Sequence, residues 1–282
     1  MILRRGRAVL IWVALTVLLG CGSSGSSAPS SPSGPNVLAI TIDPTSAAVC
    51  TFANELCTQV TICQPNTANC QTIADVLVDT GSSGLRIFAS AVRIPLASSN
   101  LGECMYFGSG TEWGPVHTVD VILGGEPAVL VPIQVIDPTF AGQYTPTGQP
   151  ASNICGMGVV DSSPVQAGFN GILGVGLFPF DSGFYYNCAA LPCAAVFVPA
   201  FQQIQNPVGL LPVDNNGVLV ALPSVPASGS PSVTGSLILG IGTASNNQPS
   251  GVTVLPTDSS GQIVTRFHPS PGVSTQNVGI ID

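Results

Sequence analysis

VLVDTGSSGLRI, residues 76–87, decides how the chain is read. Two apolar runs are joined by Asp-Thr-Gly-Ser-Ser-Gly, which sets the carboxylate of Asp79 between segments that read as buried strands. An uncompensated carboxylate there is costly, so some use for Asp79 is expected. One use is a plain tight turn, to which an Asp side chain and glycine are well suited. The other is chemistry.

On both sides of this stretch the chain reads as β. Strand-like runs follow one another closely: NVLAITI (36–42), QVTIC (59–63), TIADVLVD (72–79), LRIFA (85–89), HTVDVIL (117–123) and AVLVPIQVI (128–136). After them come NGILGVG (170–176), GVLVAL (217–222), GSLILGIG (235–242), GVTVLP (251–256), GQIVTRF (261–267) and NVGIID (277–282). Gly, Pro and Asn divide them, as turns require. A helix is expected only over AAVFVPAFQQIQ (194–205), ended by Asn206-Pro207. The 25 Pro and 32 Gly among 282 residues fit many short strands, and 45% hydrophobic content is enough for one large or two smaller cores. The expected class is all-β.

Charge narrows the function classes. Only 7% of residues are charged, Lys is absent, and three of the six Arg are Arg4, Arg5 and Arg7. Without those three the formal charge falls from −8 to −11, a surface with nothing to offer nucleic-acid phosphates. The same three Arg open an export signal: a basic start, an apolar core over 8–19, and Leu18-Leu19-Gly20-Cys21 at its end. That core is too short to span a bilayer comfortably. Leu-Leu-Gly-Cys resembles the bacterial lipobox, which implies cleavage after residue 20 and a lipid on Cys21; an ordinary signal peptide that ends near a Cys is the alternative. Residues 21–35 then form a lipidated Cys with a Ser/Gly/Pro tether. The expected location is the bacterial cell envelope, at the outer membrane or periplasmic face, with the membrane met through the N-terminal lipid.

Eight cysteines follow Cys21, namely Cys50, Cys57, Cys63, Cys70, Cys104, Cys155, Cys188 and Cys193. Export would place them where disulfides form, and up to four bridges are expected among 105 pairings. Two local pairs have geometry behind them: Cys63 with Cys70 around QPNTAN, and Cys188 with Cys193 around AALP. No Cys-x-x-Cys pair exists and His117 and His268 are the only histidines, so neither a metal nor any other cofactor is expected.

ADVLVD (74–79) and NVGIID (277–282) form a weak internal repeat, each an apolar run ending on Asp. Apolar-apolar-Asp-Thr-Gly-Ser resembles the active-site loop of pepsin-like aspartic peptidases. Three further stretches fall in that family's order. FGSGTEWGPVHTVDVILGG (107–125) is similar to the flap hairpin and the strand beyond it, FNGILGVG (169–176) to the segment that braces the first active-site loop, and TGSLILGIG (234–242) to the strand opening the second lobe. With the lipobox, the cysteines and GIGTASNN (240–247), the chain resembles more particularly a family of bacterial pepsin-like lipoproteins of no established activity. The resemblance implies a pepsin-like first lobe over 36–209 and the start of an incomplete second lobe over 210–282.

By that resemblance Asp79 and Asp282 are the catalytic carboxylates, which share a proton because neighbouring carboxylates cannot both ionise, and peptide-bond hydrolysis is the implied reaction. Thr80, Gly81 and Ser82 would support Asp79, and Tyr106, Phe107, Gly108, Gly110 and Trp113 would form the flap. The family pattern continues after its second Asp with Ser or Thr and Gly. Asp282 is the last residue here, so the expectation is a shortened chain with little or no peptidase activity, and the oligomeric state is left open. Phe107 stands where the family has the flap Tyr. Arg86 replaces a Trp and is read either as approaching the dyad or as structurally paired; Trp113 is read as gripping a peptide or packing on the sheet. Two functions stay open: a peptidase for an extended peptide or protein substrate, and a non-catalytic envelope module that binds a peptide or other ligand.

Overall fold

A computed structural model of the chain describes residues 32–44, 49–108, 110–144, 148, 154–156 and 160–279. In chain order its strands are β1 (Val37–Ile42), β2 (Cys57–Cys63), β3 (Cys70–Asp79), β4 (Ser83–Phe88), β5 (Leu101–Tyr106), β6 (Thr111–Ile122) and β7 (Val129–Ile136). They continue with β8 (Gly171–Val175), β9 (Phe184–Asn187), β10 (Ala194–Ala195), β11 (Val218–Ala221), β12 (Val233–Leu239), β13 (Ile263–Ser270) and β14 (Val273–Gly279). The class is all-β. The described residues all belong to one compact unit.

Six strands close a barrel in the order β2-β3-β8-β4-β7-β6, with β6 returning to pair β2 at Thr61↔Ile122 through Cys63↔Asp120. Closure removes edges that would otherwise expose unpaired backbone groups. Two of its pairings are parallel, β3 with β8 and β4 with β7. Alternation along the strands turns Val60, Ile62, Ile73, Val76, Val78, Val119 and Val121 into the shared core. β4 breaks that alternation, since all six of its residues are buried. Outside the barrel, β1 pairs β2 at Thr41↔Cys57 and carries β12 and then β11 on its other side. β13 and β14 form a separate two-stranded sheet.

β6 is the longest strand, and it serves two partners. Thr111–Pro115 pairs β5, while Val116–Val121 pairs β7. The first half therefore leaves the barrel as a hairpin with β5, and β9 and β10 extend that hairpin's sheet.

Four disulfides join Cys50–Cys57, Cys63–Cys70, Cys104–Cys155 and Cys188–Cys193. Both local pairs expected from spacing are among them.

The helix expected over 194–205 does not form. Ala194 and Ala195 make β10, and Val196 N–H donates to the Tyr185 carbonyl at 2.9 Å, so the segment extends β9's sheet. Pro199 explains this: it has no N–H to give a helix and pushes Val198 into extended backbone. Only a 3₁₀ turn at Ala200–Gln202 follows. The α-helical turn that does occur, Pro164–Ala167, is capped by the Ser163 side chain accepting from Gln166 N. Residues 251–256 also form no strand, since they find no partner strand and Val252, Val254 and Leu255 are exposed. Three strands carry too little alternation to be read beforehand: β5, β9 and β10.

Candidate active site

Asp79 is the last residue of β3, where the strand lies in register with β8 at Asp79↔Gly174. The chain then turns through Thr80–Ser82 and re-enters the barrel as β4. The turn explains the Asp-Thr-Gly-Ser sequence in local terms. Gly81 N donates to Asp79 Oδ1 at 2.8 Å and Ser82 Oγ donates to Asp79 Oδ2, so the carboxylate is held by its own loop. Gly176 N donates to Ser82 O at 2.7 Å, which is how the segment after β8 braces the loop. A Cβ at Gly176 would lie 2.6 Å from Ser82 O and 2.9 Å from Thr80 O, so only glycine permits this approach.

Across from the loop stands the tip of the β5–β6 hairpin, where Phe107 N donates to Gly110 O at 2.8 Å. Together they enclose a cleft of about 280 Å³. Asp79, Gly81 and Ser82 form one wall and Tyr106, Phe107 and Gly108 the other, with Phe178 and Asp181 beside them. Of the expected site residues, these six are brought together. Thr80, Gly110 and Trp113 are not on the cleft wall, and Asp282 and Cys21 lie outside the described residues. Thr80 instead lines, with Gly81, a second hollow of about 710 Å³ that shares Gly81 and Phe178 with the first. Val175, Leu177, Val218, Val220, Ile241 and Ile263 also line it, and no charged side chain among the described residues does.

Of the two uses open to Trp113, packing is the one found. It is fully buried against Phe140 and Tyr186, and its Nε1 donates to Phe140 O at 3.1 Å. The Tyr106 hydroxyl donates to the Cys155 carbonyl, so it is turned away from Asp79. Phe107 lies instead against Arg86, whose guanidinium carbon is 5.4 Å from the ring centre.

Arg86 is structurally paired. It is fully buried, donates through Nη1 to Ser83 O at 3.0 Å, and through Nη2 meets Glu103 Oε1 at 3.1 Å and Asp181 Oδ2 at 2.5 Å. Burial works against its charge, but the Glu103 and Asp181 carboxylates outweigh that and hold the guanidinium above its ordinary value. Tyr185 adds a hydroxyl that donates to Asp181 Oδ1 at 2.8 Å. One cation thereby ties the Asp79 loop, the β5 strand, the hairpin tip and the segment after β8. Asp181 and Glu103 are functional neighbours that the sequence reading missed. Each is a single acid without a motif, and only the fold sets them against Arg86.

Among the described residues no group of three or more His, Cys, Asp and Glu is arranged to hold a metal ion. A family model described as a protein of unknown function (DUF3443) matches residues 32–278. No curated protein matches the chain.

Proposed function

The chain belongs to the DUF3443 family, a description that assigns no activity, and we propose from the site itself that the folded part is a pepsin-like lobe acting as an aspartic-peptidase-like module. In this reading Asp79 is one of two carboxylates that hold a water molecule against a peptide carbonyl, and Asp282, which ends the second apolar run, is its proposed partner. One carboxylate takes the proton of the attacking water while the other, protonated, donates to the carbonyl oxygen; carboxylates about 3 Å apart stay in such a mixed state because they cannot both ionise. Export and anchoring to the cell envelope through a lipid on Cys21 belong to the same proposal, with an acyl label on Cys21 as its check.

The observation that carries the reading is the shared cleft: the Asp79 loop and the β5–β6 hairpin, far apart in sequence, form its facing walls. Gly81 and Ser82 fix the carboxylate, and the adjoining uncharged hollow gives apolar side chains of an extended ligand a place to rest. The test is peptide cleavage from about pH 3 to about pH 8 by wild type and by Asp79→Asn, with a loss of about a hundred-fold or more expected in the variant. Equal rates reject catalysis by Asp79. One observation favours a second reading, a binding module: Tyr106 commits its hydroxyl to Cys155 and Phe107 has none, so neither tip aromatic offers a hydroxyl to a water at Asp79. Peptide binding that survives in Asp79→Asn, with no cleavage by either protein, selects that reading.

A further inference from the structure

Each strand of the hairpin over the Asp79 cleft sends one carboxyl into the protein. Glu103 on β5 is 0% exposed and Glu112 on β6 only 1%. Each meets a second carboxyl from a segment packed against the hairpin. Glu103 Oε1 and Asp181 Oδ2 share Arg86 Nη2, at 3.1 Å and 2.5 Å. Asp161 is held beside Glu112 by the backbone: its N–H donates to Thr111 O at 3.0 Å, which pins it at the start of β6.

Two of the four carboxyls, Glu103 and Asp181, meet the Arg86 guanidinium, and among the described residues no salt bridge reaches Glu112 or Asp161. Were all four ionised, three negative charges would stand uncompensated in or beside ground that water does not reach, which a fold does not sustain. Glu103 Oε2 and Glu112 Oε2 are buried and receive no donor among the described residues. A buried carboxyl oxygen that accepts nothing is suited to carry a proton and donate it.

We propose that the two pairs, Glu103 with Asp181 and Glu112 with Asp161, each hold one proton and together latch the hairpin down over the cleft in acid, releasing it as those protons leave to solvent. The groups facing Glu103 are Arg86 from β4, Asp181 from the segment after β8 and Tyr185 from β9; those facing Glu112 are Asp161 and Arg86. Burial lifts both glutamates well above the usual carboxylate range, the partner acids lift them further, and Arg86 pulls the other way. Burial also raises Asp161, while Glu112 beside it works the other way. A carboxyl raised in the folded state contributes stability that is complete below its unfolded value, 4.5 for glutamate, and is lost as pH climbs through the folded value. The latch is thus shut near that lower limit and opens on the way up. The part that gives is the hairpin, since the other half of β6 is locked in the closed barrel.

The proposal concerns access to the cleft, whatever the cleft takes, so it survives a failed cleavage assay. Its test is amide hydrogen exchange on the full chain at about pH 4.5, 6 and 8, corrected for intrinsic rates, comparing β5 and Thr111–Pro115 with barrel amides at Val60–Ile62. Protection of the hairpin is expected to fall by about ten-fold or more, the equivalent of a proton held one pKa unit tighter in the latched state, while the barrel stays protected. In the double variant Glu103→Gln with Glu112→Gln the amides still donate but do not titrate, and the fall disappears. Hairpin protection that is flat with pH in wild type, hairpin and barrel opening together, or a folded double variant with the wild-type fall would each overturn the latch. If the double variant does not fold, the wild-type contrast between hairpin and barrel still decides.

Discussion

The two halves of β6 are held by opposite means. Val119 and Val121, in the half that closes the barrel, point into an apolar core shared with Ile62, Leu85 and Leu173. Near its start the same strand carries Glu112 beside Trp113 into a region with Arg86, Glu103 and Gln134, all buried and all polar apart from the Trp. Gln134 spans the two strands of the hairpin there, donating to Glu103 O at 2.9 Å and to Glu112 O at 3.4 Å. Apolar burial gains free energy in proportion to area and takes no account of protons. Polar burial holds only while charges balance and hydrogen bonds are complete. The barrel end should therefore be indifferent to pH, and the hairpin end governed by it.

The strongest way to break this contrast is Arg86→Met. Removing the cation that pairs them leaves Glu103 and Asp181 buried without it, and a loss of about 3–5 kcal/mol is expected in denaturant unfolding. A loss below about 1 kcal/mol would mean that the polar end does not depend on Arg86. Glu112→Gln sharpens the same point through pH. Wild type loses stability as pH rises from about 4.5 through the folded value of Glu112, at up to about 1.4 kcal/mol per pH unit for each proton released. The variant has one such proton fewer, so its stability curve should be shallower over that window; parallel curves would show that Glu112 holds no proton. The smallest effect belongs to the apolar end. Ile62→Val, at a fully buried barrel position, should cost about 1 kcal/mol, and the same at about pH 4.5 as at about pH 8. A pH-dependent cost there would blur the distinction between the ends.

Much of the barrel was legible because strand burial writes a period of two into the chain, as in VLVD before the Asp79 turn and HTVDVIL in β6. The turn was legible as well, since Asp, Gly and Ser at those spacings satisfy their own loop, and the structure shows Gly81 and Ser82 on the two oxygens of Asp79. β5 was not. LGECMY buries Gly102, Glu103 and Cys104 consecutively because the hairpin is covered on both faces, so no alternation marks it. Residues 194–205 misled for the reverse reason: AAVF and AFQQIQ have helical composition, but a proline at their centre and a waiting sheet edge on β9 decided otherwise. Arg86 had two readings because a single cation in an apolar strand has no local partner to identify it.

By itself the sequence determined the barrel strands, the glycine-bearing Asp79 turn and the two short-range disulfides, because each depends on residues within about ten positions of one another. Only the tertiary structure decided what stands over Asp79. Glu103, Glu112, Asp161 and Asp181 come from four separate segments, and a charge finds its partner through space, where Coulomb attraction and exclusion of water act without regard to chain order.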